Sequence, residues 1–136
     1  MASKKNELMI RVYYEDTDCG NVVYYANYLK YMERGRTELL RDNGVELAQF
    51  HSEGFVFAVV DAKLKYRSSA RYNDLLRVST RIKEQSAASV TFTSEVYNSE
   101  SNKLLVEGNV RLACINTESG RATKIPSLFM EKLYCD

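Results

Sequence analysis

Ala26-Asn27-Tyr28-Leu29-Lys30-Tyr31-Met32-Glu33-Arg34-Gly35-Arg36-Thr37-Glu38-Leu39-Leu40-Arg41-Asp42-Asn43 is the stretch that decides the fold. Tyr28, Met32, Gly35 and Leu39 fall at i, i+4, i+7 and i+11, and Tyr31 and Leu40 widen the stripe. Lys30, Glu33, Arg34, Arg41 and Asp42 lie mainly off it. This is the period of an α-helix with one apolar face. Asn43-Gly44 supplies a C-terminal stop, so the stretch predicts one amphipathic helix of about five turns.

The segments around it read as strands. Before the helix, residues 8–14 alternate and are rich in β-branched and aromatic side chains, which favours a strand. Residues 15–21 are then dense in turn formers. After the helix, residues 45–51 predict a short second helix. Strand patterns follow at residues 55–66, 75–83, 90–96 and 106–114, separated by turns at 73–74, 86–87 and 98–102. Residues 126–134 predict a short terminal helix with Pro126 in its first turn. One helix with one apolar stripe, set among strands with one apolar face, implies an α+β, two-layer architecture with an antiparallel sheet. The strand from Leu75 or the strand from Leu104 is expected at a sheet edge.

The chain has 136 residues, 45% hydrophobic and 27% charged, the usage of a globular protein rather than a disordered one. That length predicts a single domain over residues 1–136. Nineteen Lys+Arg against 18 Asp+Glu leave a net charge of +1, which does not indicate nucleic acid or an anionic membrane as a partner. One histidine and three widely spaced cysteines, Cys19, Cys114 and Cys135, exclude a His/Cys zinc cluster and a disulfide framework. No metal and no cofactor are expected. An unpaired thiol suits a reducing compartment, residues 1–7 hold no apolar signal core, and no window has the length of a membrane span. These features predict a soluble, cytoplasmic protein.

Glu15, Asp16 and Asp18 crowd the turn that runs into the long helix. Amides at a helix start have no intrahelical partner and carry partial positive charge, so they can polarise a carbonyl on which charge develops. A carboxylate opposite them can act as nucleophile or general base. Asp18, seven residues before Tyr25, is the candidate, although the same acids also suit an Asx turn that complements the helix dipole. Cys19 adjoins Asp18, but no histidine is beside it to activate it. His51 has no acid or nucleophile at a telling spacing and reads as a surface or a satisfied histidine rather than a triad member. Most of the ten tyrosines are expected to be core bodies with polar tips at the surface. Arg67, Arg71, Arg121 and Lys124 suit either a phosphate grip or a solvated face.

Val12-Tyr13-Tyr14-Glu15-Asp16-Thr17-Asp18-Cys19-Gly20-Asn21-Val22-Val23-Tyr24-Tyr25-Ala26-Asn27-Tyr28 resembles the signature block of the 4-hydroxybenzoyl-CoA thioesterase family. More closely it resembles the acyl-CoA thioesterases associated with the bacterial Tol–Pal system. Glu33-Arg34-Gly35-Arg36-Thr37-Glu38, Tyr66-Arg67-Ser68-Ser69-Ala70-Arg71-Tyr72-Asn73-Asp74 and Arg121-Ala122-Thr123-Lys124-Ile125-Pro126 are similar to the family's later blocks. The resemblance implies the hot-dog fold, a long helix wrapped by an antiparallel sheet of about five strands. It also implies dimers or dimers of dimers (homotetramers), with active sites between subunits. By resemblance Asp18 is the catalytic carboxylate and the Tyr25 amide polarises the thioester carbonyl. Arg121 matches a coenzyme A contact and, with Lys124 and Arg71, makes the expected substrate-binding set.

Two departures stand out. Tyr25 replaces a histidine common among the Tol–Pal-associated members, so only its main-chain role carries over. Ile82-Lys83-Glu84 is followed by uncharged Gln85-Ser86-Ala87-Ala88, where the hydroxybenzoyl enzyme has a basic cluster. The expected activity is hydrolysis of an acyl-CoA thioester to free acid and coenzyme A. The alternative is a non-catalytic acyl-binding protein on the same fold that recognises an acyl-carrier protein or an envelope complex.

Overall fold

The computed structural model describes residues 2–135. Strand β1 (Lys5–Arg11) leads through a one-turn 3-10 helix (Tyr14–Asp16) and a loop into helix α1 (Asn27–Asp42). Short helix α2 (Leu47–Ser52) precedes strands β2 (Phe55–Tyr66), β3 (Leu75–Gln85), β4 (Ser89–Asn98) and β5 (Leu104–Asn116), and helix α3 (Ser127–Leu133) follows them. The expected elements are therefore all present. The terminal helix starts one residue later than expected, with Pro126 at its N-cap position.

The strands form one antiparallel sheet in the order β1-β3-β4-β5-β2. The edges are thus β1 and β2, and not the strands that begin at Leu75 and Leu104. β3, β4 and β5 are joined by tight turns and pair with one another, while β1 and β2 add to the two outer sides. Strand order comes from these long-range pairings, which a local alternation does not encode.

Alternation decides which face is covered. Leu76, Val78, Thr80 and Ile82 of β3 all turn inward and are buried. So do Val90, Phe92, Ser94 and Val96 of β4, and Val106, Val110, Leu112 and Cys114 of β5. α1 lays Tyr28, Tyr31, Met32, Leu39 and Leu40 on this face.

The core has two parts. Tyr28, Tyr31 and Met32 belong to a cluster with Val12, Val23, Leu76 and Val96. Leu39 and Leu40 belong to another with Phe50, Phe92, Leu112 and Phe129. Between the parts α1 approaches the sheet at Gly35, where a Cβ would stand 2.5 Å from Thr80 Oγ1. The Thr80 hydroxyl in turn lies 3.3 Å from that of Ser94.

β2 is unlike the other strands. Only its inner side pairs, with β5, and a register shift falls between Val59 and Asp61. Val59 and Val60, at its middle, are 55% and 50% exposed. Twelve residues of open edge with two bare valines would be a template for uncontrolled pairing if nothing covered them.

Candidate active site

The acidic turn is a closed loop. Asp18 N–H donates to the Val22 carbonyl (2.9 Å) and Asn21 N–H to the Asp18 carbonyl (3.0 Å). Asn21 takes φ 64°, a left-handed conformation that asparagine tolerates. Gly20 N–H donates to Asp18 Oδ1 at 2.8 Å. The Asx-turn reading of Asp18 therefore holds for one carboxylate oxygen. The residue is exposed, and Oδ2 accepts from no group among the described residues.

Three contacts fix this loop against the start of α1. Tyr24 N–H donates to the Asp16 carbonyl (2.9 Å) and Val23 N–H to the Ala70 carbonyl (2.9 Å). Asn27 Nδ2 donates to the Asp16 carbonyl (2.9 Å). Tyr28 Oη, buried behind them, accepts from Ala70 N–H at 3.0 Å, and burial lifts its pKa. The Tyr24 hydroxyl is also held above its usual range, chiefly by its neighbour Tyr25 and in smaller part by the charge of Asp18.

The amides of Tyr25 and Ala26 donate to nothing among the described residues. They precede a helix of 16 residues, where the partial positive charge of the helix end is concentrated. An exposed carboxylate and two free amides thus sit on one loop, an arrangement suited to acyl transfer.

The surroundings are aromatic. Tyr13, Tyr14, Tyr24, Tyr25, Tyr66 and Tyr72 are all exposed, which corrects the expectation that most tyrosines lie in the core. Among the described residues, only two tyrosines are fully buried, Tyr28 and Tyr31. Tyr25 meets Tyr24 at 4.8 Å and Tyr66 edge-on at 6.3 Å between ring centroids. Three exposed rings in mutual contact, those of Tyr24, Tyr25 and Tyr66, make the kind of patch that marks an interaction surface.

The predicted site residues do not all meet. Arg71 is brought to the acidic turn, since it bridges to Val22 and its amide donates to Asp74 Oδ2. Arg121 and Lys124 are not. They lie on the segment after β5, where the Arg121 carbonyl accepts from Asn116 N–H. Tyr66 pairs with Val106, at the opposite end of β5. Ten residues of strand separate Val106 from Asn116, so Arg121 is about 33 Å from the Tyr66 end of the same chain.

Sequence reasoning missed Arg36. It lies on the inner side of α1 beside an apolar cavity, only 9% exposed. It makes no hydrogen bond or ion pair among the described residues, and burial lowers its pKa. His51 is exposed at the end of α2, as expected, and lines the same cavity.

The model of the thioesterase-like superfamily matches residues 12–133. The chain belongs to that superfamily. Among thioesterase-like relatives, the acyl-CoA thioester hydrolase YbgC of Escherichia coli is 37% identical over 117 residues, covering 86% of this chain and 87% of the relative. The crystal structure of Slr0204, a 1,4-dihydroxy-2-naphthoyl-CoA thioesterase from Synechocystis, superposes with a TM-score of 0.89 at 24% identity over 95% of both chains. A 4-hydroxybenzoyl CoA thioesterase mutant complexed with 4-hydroxybenzoyl CoA superposes with a TM-score of 0.87 at 18% identity, over 96% of this chain and 99% of that one. Both superpositions give the thioesterase-like chain the hot-dog fold expected from its sequence. No helix among its described residues is long and apolar enough to cross a membrane.

Proposed function

We propose that this protein is an acyl-CoA thioester hydrolase in which Asp18 supplies the carboxylate and the Tyr25 amide polarises the thioester carbonyl. The observation that carries this reading is the pair of free amides on the same loop as the exposed Asp18 carboxylate. A carbonyl oxygen against Tyr25 N–H gains most from that hydrogen bond when it becomes an oxyanion. One such donor is typically worth about 3–4 kcal/mol of barrier.

Asp18 can act in either of two balanced ways. As a nucleophile, its oxygen bonds the acyl carbon, the C–S bond breaks, and coenzyme A leaves as the thiolate. Water then hydrolyses the resulting anhydride. As a general base, it takes a proton from water as that water attacks, and the thiolate again departs. Neither route calls on a metal or cofactor.

The working unit is a dimer or a tetramer. The open edge of β2 is the surface for self-association, because two such edges satisfy each other's unpaired amides and carbonyls. A second copy also accounts for Arg121 and Lys124. They are remote from Asp18 in their own chain and serve the nucleotide phosphates of substrate held by the partner. Arg71 serves substrate in its own subunit. An acyl-carrier protein is a further thioester donor that the exposed site would admit.

The test is a hydrolysis screen across acyl- and aryl-CoA esters, read by released thiol. Turnover of at least one ester class, abolished in Asp18→Asn, is the expected result. The absence of thiol release from every ester would overturn the reading.

A further inference from the structure

The loop that carries Asp18 is a miniature hairpin. Its arms are Asp16-Thr17-Asp18 and Val22-Val23-Tyr24, with Cys19-Gly20-Asn21 at the tip. Asp18 N–H bonds the Val22 carbonyl, Thr17 bridges to Val23, and Tyr24 N–H closes the base on the Asp16 carbonyl. Asp18 therefore stands at the tip, while the free Tyr25 and Ala26 amides follow directly on the base. A hairpin free to rock on α1 would pivot at those two residues, and would move the carboxylate relative to their amides.

Asn27 stops that motion. It is the first residue of α1, and it holds both arms at the base. Its backbone N–H donates to the Tyr24 carbonyl (2.9 Å), and its Nδ2 donates to the Asp16 carbonyl (2.9 Å). The Asp16 carbonyl accepts from Tyr24 and Asn27 at once, as its two lone pairs allow. The Asp16 carboxylate accepts from Tyr13 N–H at 2.9 Å, which fixes the chain entering the loop. Helix formation does not account for Asn27, because asparagine is a poor helix former and no side chain caps the start of α1. Its side-chain donor goes to the hairpin instead.

We infer that Asn27 is a positioning residue of the hydrolase: through the Asp16 carbonyl, it holds the Asp18 carboxylate and the Tyr25 amide in one geometry for attack on the thioester. The inference rests on the hydrolase reading above. Displacing a reacting group by about 1 Å can cost on the order of 100-fold in rate. The carboxylate and the amide act on the carbonyl as charge develops, so misplacing them lowers kcat and leaves substrate binding nearly unchanged.

A second asparagine supplies the control. Asn43 donates its Nδ2 to the Leu39 carbonyl at 2.7 Å, a bond of the same kind about 24 Å farther along the helix. The experiment measures kcat and KM for the wild type, Asn27→Ala, Asn27→Asp and Asn43→Ala, with urea unfolding alongside. The substrate is the CoA ester that releases thiol fastest in the screen above. Asn27→Ala should lower kcat at least ~tenfold and keep KM within about twofold of the wild type. Asn43→Ala should lose comparable stability, since it too removes one side chain-to-backbone hydrogen bond, yet keep its kcat. Asn27→Asp keeps the size and favours the helix start through its charge, but its carboxylate has no donor for Asp16, so its kcat should also fall. It carries the test if Asn27→Ala does not fold. Wild-type kcat in either Asn27 variant overturns the inference. An equal kcat loss in Asn43→Ala also overturns it, because activity would then merely follow stability. Both failures leave the hydrolase reading standing, whereas absence of thiol release by the wild type refutes that reading and the inference with it.

Discussion

The Tyr66 hydroxyl donates to the main-chain carbonyl of Tyr25 across 3.2 Å. The last residue of β2 is thereby bonded to the peptide that leads into α1. That peptide also carries the Ala26 amide, so Tyr66 orients one of the two free donors. Tyr66→Phe keeps the ring contacts with Tyr25 and Tyr28 and removes only the hydrogen bond. The expected loss in kcat is about fivefold, the worth of a ~1 kcal/mol hydrogen bond. Steady-state kinetics at saturating substrate measures it, and an unchanged kcat would show that the loop needs no such brace.

Asp18→Asn should lower kcat at least ~100-fold, the usual scale for a lost general base. Stability should hardly change, because the asparagine carbonyl oxygen still accepts from Gly20 N–H in the same turn. Thermal unfolding and single-turnover kinetics together separate these effects. Wild-type turnover in this variant would remove Asp18 from the mechanism.

Val60→Asp adds two carboxylates beside those of Asp61 at the middle of the proposed β2 pair, where like charges repel. Light scattering should find a monomer where the wild type is a dimer or tetramer, and acyl-CoA hydrolysis should be lost with the dimer. A fully active monomer would refute a site built between subunits.

Arg121→Ala should raise KM for an acyl-CoA and leave kcat near its wild-type value, the pattern of lost uniform binding. An acyl-pantetheine ester, which lacks the nucleotide phosphates, should show no such rise. Lys124→Ala should act the same way but more weakly, since a point charge grips phosphate less well than the guanidinium fork does. An equal effect on both esters would mean a structural role.

Gly35→Ala should destabilise the subunit by about 1–3 kcal/mol, the usual cost of forcing a methyl into a packed contact. The new Cβ meets the Thr80 hydroxyl, so adding Thr80→Ala should recover part of the loss. Denaturant unfolding of the two single variants and the double variant measures the coupling.

Much of this fold is legible in the sequence, because helix and strand periods are local. The stripe from Tyr28 to Leu40 gives α1, and the alternation of Leu76, Val78, Thr80 and Ile82 gives the inner face of β3. The acidic turn is legible as well, since Asp18 and Gly20 make their contact two residues apart. The sheet edges are not. β2 lies outside β5 through pairings such as Tyr66 with Val106, which local alternation cannot announce. The cavity is hidden for the same reason, with walls drawn from residues as far apart as Arg36 and Phe129. Arg36 itself sits among charged neighbours in sequence and looks like a solvated residue until the helix is docked. The exposed tyrosines are not legible as such, because an aromatic side chain serves a core and a binding surface equally well.

The hydroxyl pair of Thr80 and Ser94, under Gly35, has a consequence for motion. It divides the apolar interior, so the half that braces the Asp18 loop and the half that walls the cavity share little side-chain packing beyond the α1 backbone. Native-state hydrogen exchange should therefore resolve two cooperative units with different opening free energies. The cavity half, built on the short α2 and α3, should open first. That half can then fluctuate locally while the loop that carries the Asp18 carboxylate and the free amides keeps its shape.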